Sequence, residues 1–470
     1  MIYMFYMDIK IFYTNFKITP KEKPMKTTRR SFLASATAAA GLVPFAGFPA
    51  VVSRRSPNSM LSHACVGTGN MALGDLNGLR SHPQIHITAL CDVDANYLAR
   101  AKKLCPDARV YRNAHEMFEK EGNRIDSTNV STPDHSHAGY VLDALARGLN
   151  VYGQKPLCHD LADCRKIEKL AAEKKAVTQL GTQIAAWPCD RQTVAFLKSG
   201  LIGELKHVWI FSNRGGHTTA DHTWPLAEAP VPKTLNWKTW LDGAPFRPYV
   251  PKVYHPGKWR FWRDFGTSWL GDLGLHLLSP VWIGLGLGTA GPTSVTAEVP
   301  VEPEPQRTQF WPRMSHITWE MPGCAASGGK PFPIEWCDGN LADPKIAAKT
   351  PANYLPRPEF KELFAKSSIG KQPLQGRVVE GTEGWLLSVH YDKPPAIVLK
   401  NGGAAPALPK VGKVPSHWHE YINACLKGGT TTSSFSWAGR LSEMVLLGNA
   451  AMSKPGVKLA LPLGLHSKTT

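Results

Sequence analysis

Short apolar runs alternate with amphipathic stretches between about residues 60 and 155. Segments with helical periodicity, such as Leu73–Leu79 and Ala138–Arg147, separate runs of strand length. Alternation of this kind is typical of a parallel sheet covered by helices. The runs of strand length are Leu61–Val66, Ile85–Cys91, Ser127–Ser131 and Asn150–Gly153.

A glycine-rich loop follows the first predicted strand, with Gly67, Gly69, Asn70, Met71 and then Ala72. The first glycine permits a tight turn, the second lets the backbone approach a pyrophosphate, and the alanine takes the position that packs the next helix. The second strand ends at Asp92, about 25 residues after the first glycine, where a ribose-binding acid is expected. An acid there repels a 2′-phosphate, so the pattern predicts a dinucleotide site that prefers NAD to NADP.

Two further polar segments follow predicted strands and are expected at the same edge of the sheet, because ligands bind beyond the carboxyl ends of parallel strands. Asp134 and His135 have a simpler alternative as a turn and a helix cap. For Lys155, the simpler alternative is a solvated lysine on the surface. The residues predicted to bind the cofactor from these segments and the next one are Thr132, Pro133, Asp134, His135, Gln154, Lys155 and Gln183.

The second half of the chain changes character after Gln183. It is rich in Trp, Pro and Gly, and its strand-like runs, such as Thr293–Val299 and Trp385–His390, come late. This predicts an α+β arrangement. Asp272 and His276 are four residues apart, so on a helix they share one face.

The order of these motifs resembles that of the Gfo/Idh/MocA oxidoreductases, and specifically their exported members. The resemblance implies an α/β N-terminal Rossmann dinucleotide-binding domain at 60–182. It also implies a C-terminal α+β domain at 183–465, with a large, open, mostly antiparallel sheet, and a homo-oligomer. The matching motifs are V-G-T-G, C-D-V-D, T-P-D-H-S-H, K-P, W-R, D-F-G-T and G-D-x-G-x-H.

In the family that the chain resembles, the lysine of K-P and the D-x-x-x-H pair serve catalysis, which points to Lys155, Asp272 and His276. Hydride leaves an alcohol carbon only as the hydroxyl proton is removed, so a base and a positive charge are needed near that oxygen. We assign His276 as general acid/base because a histidine usually titrates near neutrality, Asp272 as its partner and Lys155 as the electrostatic stabiliser. The roles of the lysine and the histidine can be exchanged.

Substrate contacts are expected from Trp259, Arg260, Asp272 and His276. Aromatic residues nearby can stack on sugar rings or simply pack together. One departure from the family pattern is Gln154, which stands where a glutamate usually precedes Lys-Pro. An amide lacks the countercharge of a carboxylate, which leaves the charge environment of the lysine open.

Three functions are compatible with these residues. The first is oxidation of a carbinol CH–OH of a sugar, cyclitol or glycoside by a tightly bound NAD(P). The second is redox-neutral glycoside cleavage, in which transient oxidation of the sugar permits elimination and the hydride then returns. The third is a non-catalytic module that binds a dinucleotide or a sugar.

The leader, at 1–55, has the features of an export signal. Arg29 and Arg30 precede an apolar, alanine-rich run from Ala34 to Ala50, which indicates twin-arginine export to the periplasm. Met25 is a plausible true start. If the arginine pair is incidental, the enzyme is cytoplasmic.

Composition excludes several other classes. The formal net charge is +17, but the leader carries nine lysines and arginines against two acids, which leaves about +10 spread over the rest. Without a basic run, nucleic-acid binding is not expected. The nine cysteines lack zinc spacing and are expected to be mostly buried free thiols. No metal is expected, and His417 and His419 are interpreted as structural.

Overall fold

The computed structural model describes residues 60–214, 222, 224–302, 304–339, 350–391 and 393–460. The predicted leader, with Met25 and the arginine pair, lies outside the described residues. No helix in the described part of the chain is long and apolar enough to cross a membrane.

The first sheet has six strands, all parallel, in the order β3-β2-β1-β4-β5-β6. This is the strand order of a doubly wound dinucleotide-binding fold, with a crevice where the order reverses between β1 and β4. The strands are β1 (Leu61–Val66), β2 (Ile85–Cys91), β3 (Arg109–Tyr111), β4 (Ser127–Val130), β5 (Asn150–Gly153) and β6 (Thr178–Leu180). The parallel sheet predicted from the alternating pattern is confirmed.

Helices connect successive strands of this sheet: α1 (Asn70–Arg80), α2 (Ala95–Leu104), α3 (Ala114–Glu121), α4 (Asp134–Ala146) and α5 (Leu161–Glu173). The helix predicted over Ala138–Arg147 begins earlier, at Asp134, so that residue lies in the first turn rather than in a preceding loop. Pro133 is the N-cap, and its side chain makes no capping hydrogen bond. An acidic residue in the first turn is favoured by the helix dipole.

The second sheet has eight strands in the order β13-β12-β11-β7-β10-β9-β8-β14. Only the β7–β10 pair is parallel among the described pairings, which confirms a mostly antiparallel sheet. The strands are β7 (Leu205–Ser212), β8 (Ser294–Glu298), β9 (Ser315–Met321), β10 (Phe332–Asp338), β11 (Gly376–Gly381), β12 (Gly384–Val389), β13 (Ala396–Leu399) and β14 (Leu459–Ala460).

Helices of the second half pack on both sheets, and one apolar core runs from the first sheet to the second. A Cβ at Gly78 of α1 would lie 2.3 Å from the Trp418 ring, so glycine permits the close approach of the last helices. The predicted boundary between 182 and 183 stays a prediction. The helices are α6 (Pro188–Ser199), α7 (Trp237–Leu241), α8 (Leu275–Gly284), α9 (Gln306–Gln309), α10 (Phe360–Lys366), α11 (His417–Lys427) and α12 (Phe435–Met452).

The tryptophan-rich part of the second half forms its own buried aromatic cluster. Trp237 and Trp240 stack with ring centroids 4.5 Å apart, and Trp262 is fully buried against Phe310. These rings therefore pack against one another, which is the simpler of the two expectations. Trp259 differs, because it also lines the crevice described next.

Candidate active site

An open crevice lies at the carboxyl ends of the strands of the first sheet. Residues of the second half, including Trp240 and His255, form its opposite wall. Three predicted site residues, His135, Gln183 and His276, are not part of its lining. The predicted residues that line it are Gly67, Gly69, Asn70, Met71, Asp92, Thr132, Pro133, Asp134, Gln154, Lys155, Trp259, Arg260 and Asp272.

The glycine loop packs closely against its neighbours and leads directly into a helix start. Gly67 has φ +89°, and a Cβ there would lie 2.3 Å from the carbonyl oxygen of Ser131. At Gly69 a Cβ would lie 2.4 Å from the ring of Tyr97. Helix α1 starts immediately afterwards, with no acid in its first turn and no side chain capping it. Free amide groups at a helix start favour an anion, so the loop fits the pyrophosphate of NAD.

Asp92 lines the crevice and also holds the glycine loop in place. Its Oδ2 accepts hydrogen bonds from the backbone N and the Oγ1 of Thr68, at 2.8 and 2.9 Å, and its Oδ1 accepts one from the backbone N of Asp94 at 2.9 Å. Burial raises the pKa of Asp92, and these hydrogen bonds oppose that effect. A carboxylate oxygen can accept two hydrogen bonds, so Oδ1 retains capacity for a ribose hydroxyl.

A segment from the second half, residues 234–260, lies along the crevice near Asp92, and we call it the covering segment. The backbone N of Ala95 donates to the carbonyl oxygen of Thr234 at 2.8 Å, and that of Asn236 donates to Val93 O at 2.9 Å. His255 Nε2 lies 3.0 Å from Asp94 Oδ2. Sequence reasoning predicted Trp259 and Arg260 at the end of this segment but missed His255 and the contacts with residues 93–95, because nothing local shows which part of the first half the segment meets.

The loops after β4 and β5 are joined through α4. Asp134 Oδ2 accepts from the backbone N of Thr267 at 3.1 Å and from its Oγ1, which links the predicted T-P-D-H-S-H and D-F-G-T segments. The buried ring of His137 lies with Nδ1 2.7 Å from Pro156 O and Nε2 2.8 Å from Thr132 O. The backbone on either side of the crevice floor is thereby held in place.

His135 points elsewhere. Its Nε2 lies 2.8 Å from the carbonyl oxygen of Trp240, and its ring packs against Phe265. Burial lowers its pKa to about 4. The structure thus places His135 in the aromatic cluster rather than on the crevice wall.

Lys155 and Asp272 meet across the crevice. Lys155 Nζ lies 2.7 Å from Asp272 Oδ1 and 2.6 Å from the carbonyl oxygen of the same residue, while Arg260 Nε donates to Oδ1 at 3.2 Å. Burial alone would raise the pKa of Asp272, but the charges of Lys155 and Arg260 hold it well below its usual range. Asp272 is therefore an ionised carboxylate shared by two cations.

Asp272 lies in a π-helical turn, Leu270–Gly274, that runs directly into α8, where His276 is the second residue. The two residues were expected to share one face if they lay on a helix, and the structure shows that the helix is π-helical at Asp272 and α-helical at His276. The two residues remain close enough for the charge of Asp272 to act on the His276 ring. Turns of the π-helical kind occur frequently at functional sites.

His276 is neutral near neutral pH. Burial, helped by the charge of Lys155 and opposed by that of Asp272, lowers its pKa to about 3. Its buried Nδ1 has no hydrogen-bond partner among the described residues, and its ring centroid lies 5.7 Å from that of His390. The expectation of an ordinary, near-neutral titration therefore does not hold for the protein without substrate.

Gln154 and Gln183 are buried beside the floor of the crevice. Gln154 Nε2 donates to Asp75 Oδ2 at 2.8 Å, and Gln183 Nε2 donates to the hydroxyl of Tyr152 at 3.1 Å. The amide of Gln154 is thus engaged with Asp75, while Lys155 takes its countercharge from Asp272. The missing glutamate does not leave the lysine without a carboxylate.

The two histidines near the chain end hold elements together. Gln179 Nε2 donates to His417 Nδ1 at 2.8 Å, and His417 Nε2 donates to Leu180 O at 2.9 Å. His419 Nε2 lies 2.8 Å from Ser81 Oγ. Among the described residues, no group of three or more His, Cys, Asp or Glu side chains is placed to hold a metal ion.

The fold and the crevice define a dinucleotide-binding protein whose second half supplies charged groups to the site. Residues 61–182 match the oxidoreductase family with an NAD-binding Rossmann fold, and residues 193–325 match the C-terminal alpha/beta domain of that family. The chain belongs to the Gfo/Idh/MocA family of NAD-binding oxidoreductases.

Two curated relatives resemble the chain over part of its length. An inositol 2-dehydrogenase of Gluconacetobacter diazotrophicus is 31% identical over 121 residues, which are 25% of this chain and 35% of that protein. A D-apiose dehydrogenase of Paraburkholderia graminis is 30% identical over 141 residues, or 30% of this chain and 37% of that protein. The similarity spans only about a third of each relative.

Solved structures extend the likeness over most of the fold. An inositol dehydrogenase homologue of Azotobacter vinelandii, complexed with NADH and myo-inositol, superposes with a TM-score of 0.54 at 16% identity. The match covers 86% of this chain and 98% of that one. At this identity the likeness concerns the fold alone.

Proposed function

We propose that this protein uses NAD to oxidise a carbinol CH–OH of a sugar, cyclitol or glycoside. The observation that carries the proposal is the 2.7 Å contact between Lys155 Nζ and Asp272 Oδ1 in the wall of the crevice that also contains the glycine loop. A cation at that place supports negative charge on a substrate oxygen. The names of the partial relatives, inositol 2-dehydrogenase and D-apiose dehydrogenase, agree with this substrate class.

The residues divide the chemistry among them. When bound, NAD supplies the hydride acceptor. Lys155 donates to the substrate oxygen and stabilises its developing negative charge. We assign proton acceptance to His276, which is neutral in the folded protein and follows Asp272 by four residues; this requires the substrate to extend from the described lining toward that ring. Asp272, held ionised, orients Lys155 and stabilises the imidazolium that forms.

Asp92 supports a preference for NAD over NADP. Its buried carboxylate lies at the crevice wall, and a 2′-phosphate there would bring a second negative charge against it. We propose NAD as the cofactor that the enzyme uses, with NADP disfavoured.

A second candidate is redox-neutral glycoside cleavage with transient oxidation of the sugar. The covering segment favours it, because its contacts with Val93, Asp94 and Ala95 would retard loss of the dinucleotide between the two hydride transfers. Cofactor retention suits an enzyme that returns its hydride in every turnover.

We further propose export through the twin-arginine machinery to the periplasm, and assembly as a homo-oligomer. Export is supported by Arg29 and Arg30 ahead of the alanine-rich run. Folding before export would let the protein acquire NAD where that cofactor is made. The oligomer rests on the resemblance to the family.

The test is made with the purified full chain. Denaturation should release NAD(H), and sugars, cyclitols and glycosides are then added while reduced nicotinamide is followed by absorbance. Net NADH formation supports the dehydrogenase, and glycoside cleavage without net reduction supports the redox-neutral enzyme. Failure to bind any dinucleotide, or no turnover with any of these substrates, would reject the proposal.

A further inference from the structure

A buried polar cluster lies on the face of the second sheet that meets α6 and α8. Arg377 of β11 pairs with Ser388 of β12, so His390, two residues further along, is positioned for the same face. The contact between the rings of His390 and His276, at 5.7 Å, confirms that His390 faces α8. The cluster therefore adjoins the helix that carries the proposed catalytic pair.

Arg377 presents half of its guanidinium without an acceptor. The side chain is 0% exposed, and Nη1 donates to Asp190 Oδ1 at 3.0 Å. Nε and Nη2 are also buried, and neither has a partner among the described residues. These two groups donate side by side, in the geometry that matches the two oxygens of a carboxylate. Buried donors without acceptors are unfavourable, so this pair suits a ligand from outside the cluster.

The surroundings of His390 are cationic. The side chain is 2% exposed, and neither ring nitrogen has a partner among the described residues. Burial lowers the pKa of His390 well below its ordinary value, and the charges of Arg377, Arg214 and Lys155 act in the same direction. The nearby carboxylate of Asp190 accepts from Nη1 of Arg377 through Oδ1, and its buried Oδ2 has no partner among the described residues. An anion placed beside His390 would be stabilised by this field.

We propose that Arg377, assisted by His390, binds a carboxylate of the substrate, which makes the substrates acidic polyhydroxylated compounds of the uronic or aldonic acid class. This inference rests on the proposed function, since it specifies the substrate of the same site. A carboxylate matches the two parallel donors, and because a phosphate can be held in the same way, the experiment includes a phosphorylated sugar. A hydroxyl group in place of the carboxylate could accept hydrogen bonds from the donors, but it carries no negative charge for the surrounding cations to stabilise.

The experiment compares matched acidic and neutral sugars on the NAD-loaded full chain by calorimetry. D-glucuronate and D-gluconate are expected to bind at least tenfold more tightly than D-glucose. Arg377→Lys keeps a positive charge beside Asp190 but loses the paired donors, so it should weaken the binding of both acids and abolish most of this difference. His390→Asn should reduce the difference in part. Arg124→Lys, at an exposed position, is the control.

Several outcomes would overturn the inference: equal affinity for glucose and glucuronate, no binding of either acid, or equal loss of acid and neutral binding in Arg377→Lys. Tighter, Arg377-dependent binding of glucose 6-phosphate would replace the carboxylate by a phosphate and also reject it. If Arg377→Lys does not fold, the His390→Asn variant is the test. An unchanged preference for acidic over neutral sugars in that variant would reject the inference.

Following NADH in the same samples separates the two proposals. Arg377-dependent binding of acids without oxidation or cleavage of any substrate would reject the proposed function and retain the subsite. Oxidation of neutral sugars without any preference for acids would retain the function and reject the subsite.

Discussion

Gln154 Nε2 donates to the buried carboxylate of Asp75 at 2.8 Å, joining the end of β5 to α1. Asp75 Oδ2 also accepts from Ser131 Oγ at 2.8 Å, and Oδ1 accepts from Trp418 Nε1 at 2.9 Å. Burial raises the pKa of Asp75, and these hydrogen bonds oppose that effect. The residue that departs from the family pattern therefore belongs to a matched pair, with the amide directly after β5 and the acid on α1.

Gln154→Glu should destabilise the protein. The substitution places a second carboxylate against that of Asp75 and removes a donor, so one buried acid must take up a proton or lose its partner. We expect the free energy of unfolding at pH 7 to fall by about 3 kcal/mol, measured by chemical denaturation. Asp75→Asn combined with Gln154→Glu restores an amide–acid pair and should recover most of the loss. A Gln154→Glu protein that is as stable as the parent would contradict this account.

Local patterns predicted the parts of the site that belong to one strand and its following loop. Gly67, Asp92 and Lys155 follow strands whose apolar runs are clear in the sequence, and the structure places all three on the crevice wall. Strand order then brings them together without further information.

The remaining parts depend on contacts between distant segments, which no local pattern encodes. His255 meets Asp94 across 161 residues, and Trp418 meets Asp75 across 343. His135 belongs to a motif that fits the crevice, yet its ring packs in the aromatic cluster, because Trp240 and Phe265 from the second half surround it. The low pKa of His276 likewise follows from burial that only the assembled fold creates.

Lys155→Met should slow turnover by about 10²- to 10³-fold, because the substrate oxygen loses the charge that stabilises it as the proton leaves. The rate of NADH formation with the best substrate measures the effect. NADH binding, followed by nicotinamide fluorescence, should persist, since the glycine loop is untouched. Lys166→Met, at an exposed position of α5, is the matched control and should leave the rate unchanged. A Lys155→Met enzyme with near-parental turnover would remove this lysine from the mechanism.

His255→Ala should weaken the hold of the covering segment. The variant loses the 3.0 Å contact with Asp94 and the packing of the imidazole near the Tyr97 ring, at 5.7 Å. We expect NADH to dissociate about tenfold faster, a change worth about 1.4 kcal/mol. Displacement of bound NADH in a stopped-flow fluorimeter gives the rate. Phe246 lies in the same segment but is 81% exposed, so NADH should dissociate from the Phe246→Ala variant at the parental rate. If the two variants behave alike, His255 does not contribute to retention.

Acidification should destabilise the protein through two buried neutral histidines. Burial lowers the pKa of His63 and of His417 to about 4, against 6.5 for an unperturbed ring. The unfolded chain therefore binds protons below about pH 6.5 that the folded chain does not bind until about pH 4, so stability present above 6.5 is lost as pH falls across that window. Each histidine contributes up to about 3 kcal/mol by pH 4.

Urea unfolding at a series of pH values between 7.5 and 4.5 measures this dependence. His417→Gln removes one titrating ring and should flatten the slope, even though the loss of its bonds to Gln179 and Leu180 lowers the stability at every pH. His86→Gln, at an exposed position of β2, is the control and should leave the slope as it is. The slope is the informative quantity because it counts protons taken up on unfolding, whatever the variant costs in packing. A slope unchanged in His417→Gln would mean that this ring is not kept neutral by the fold.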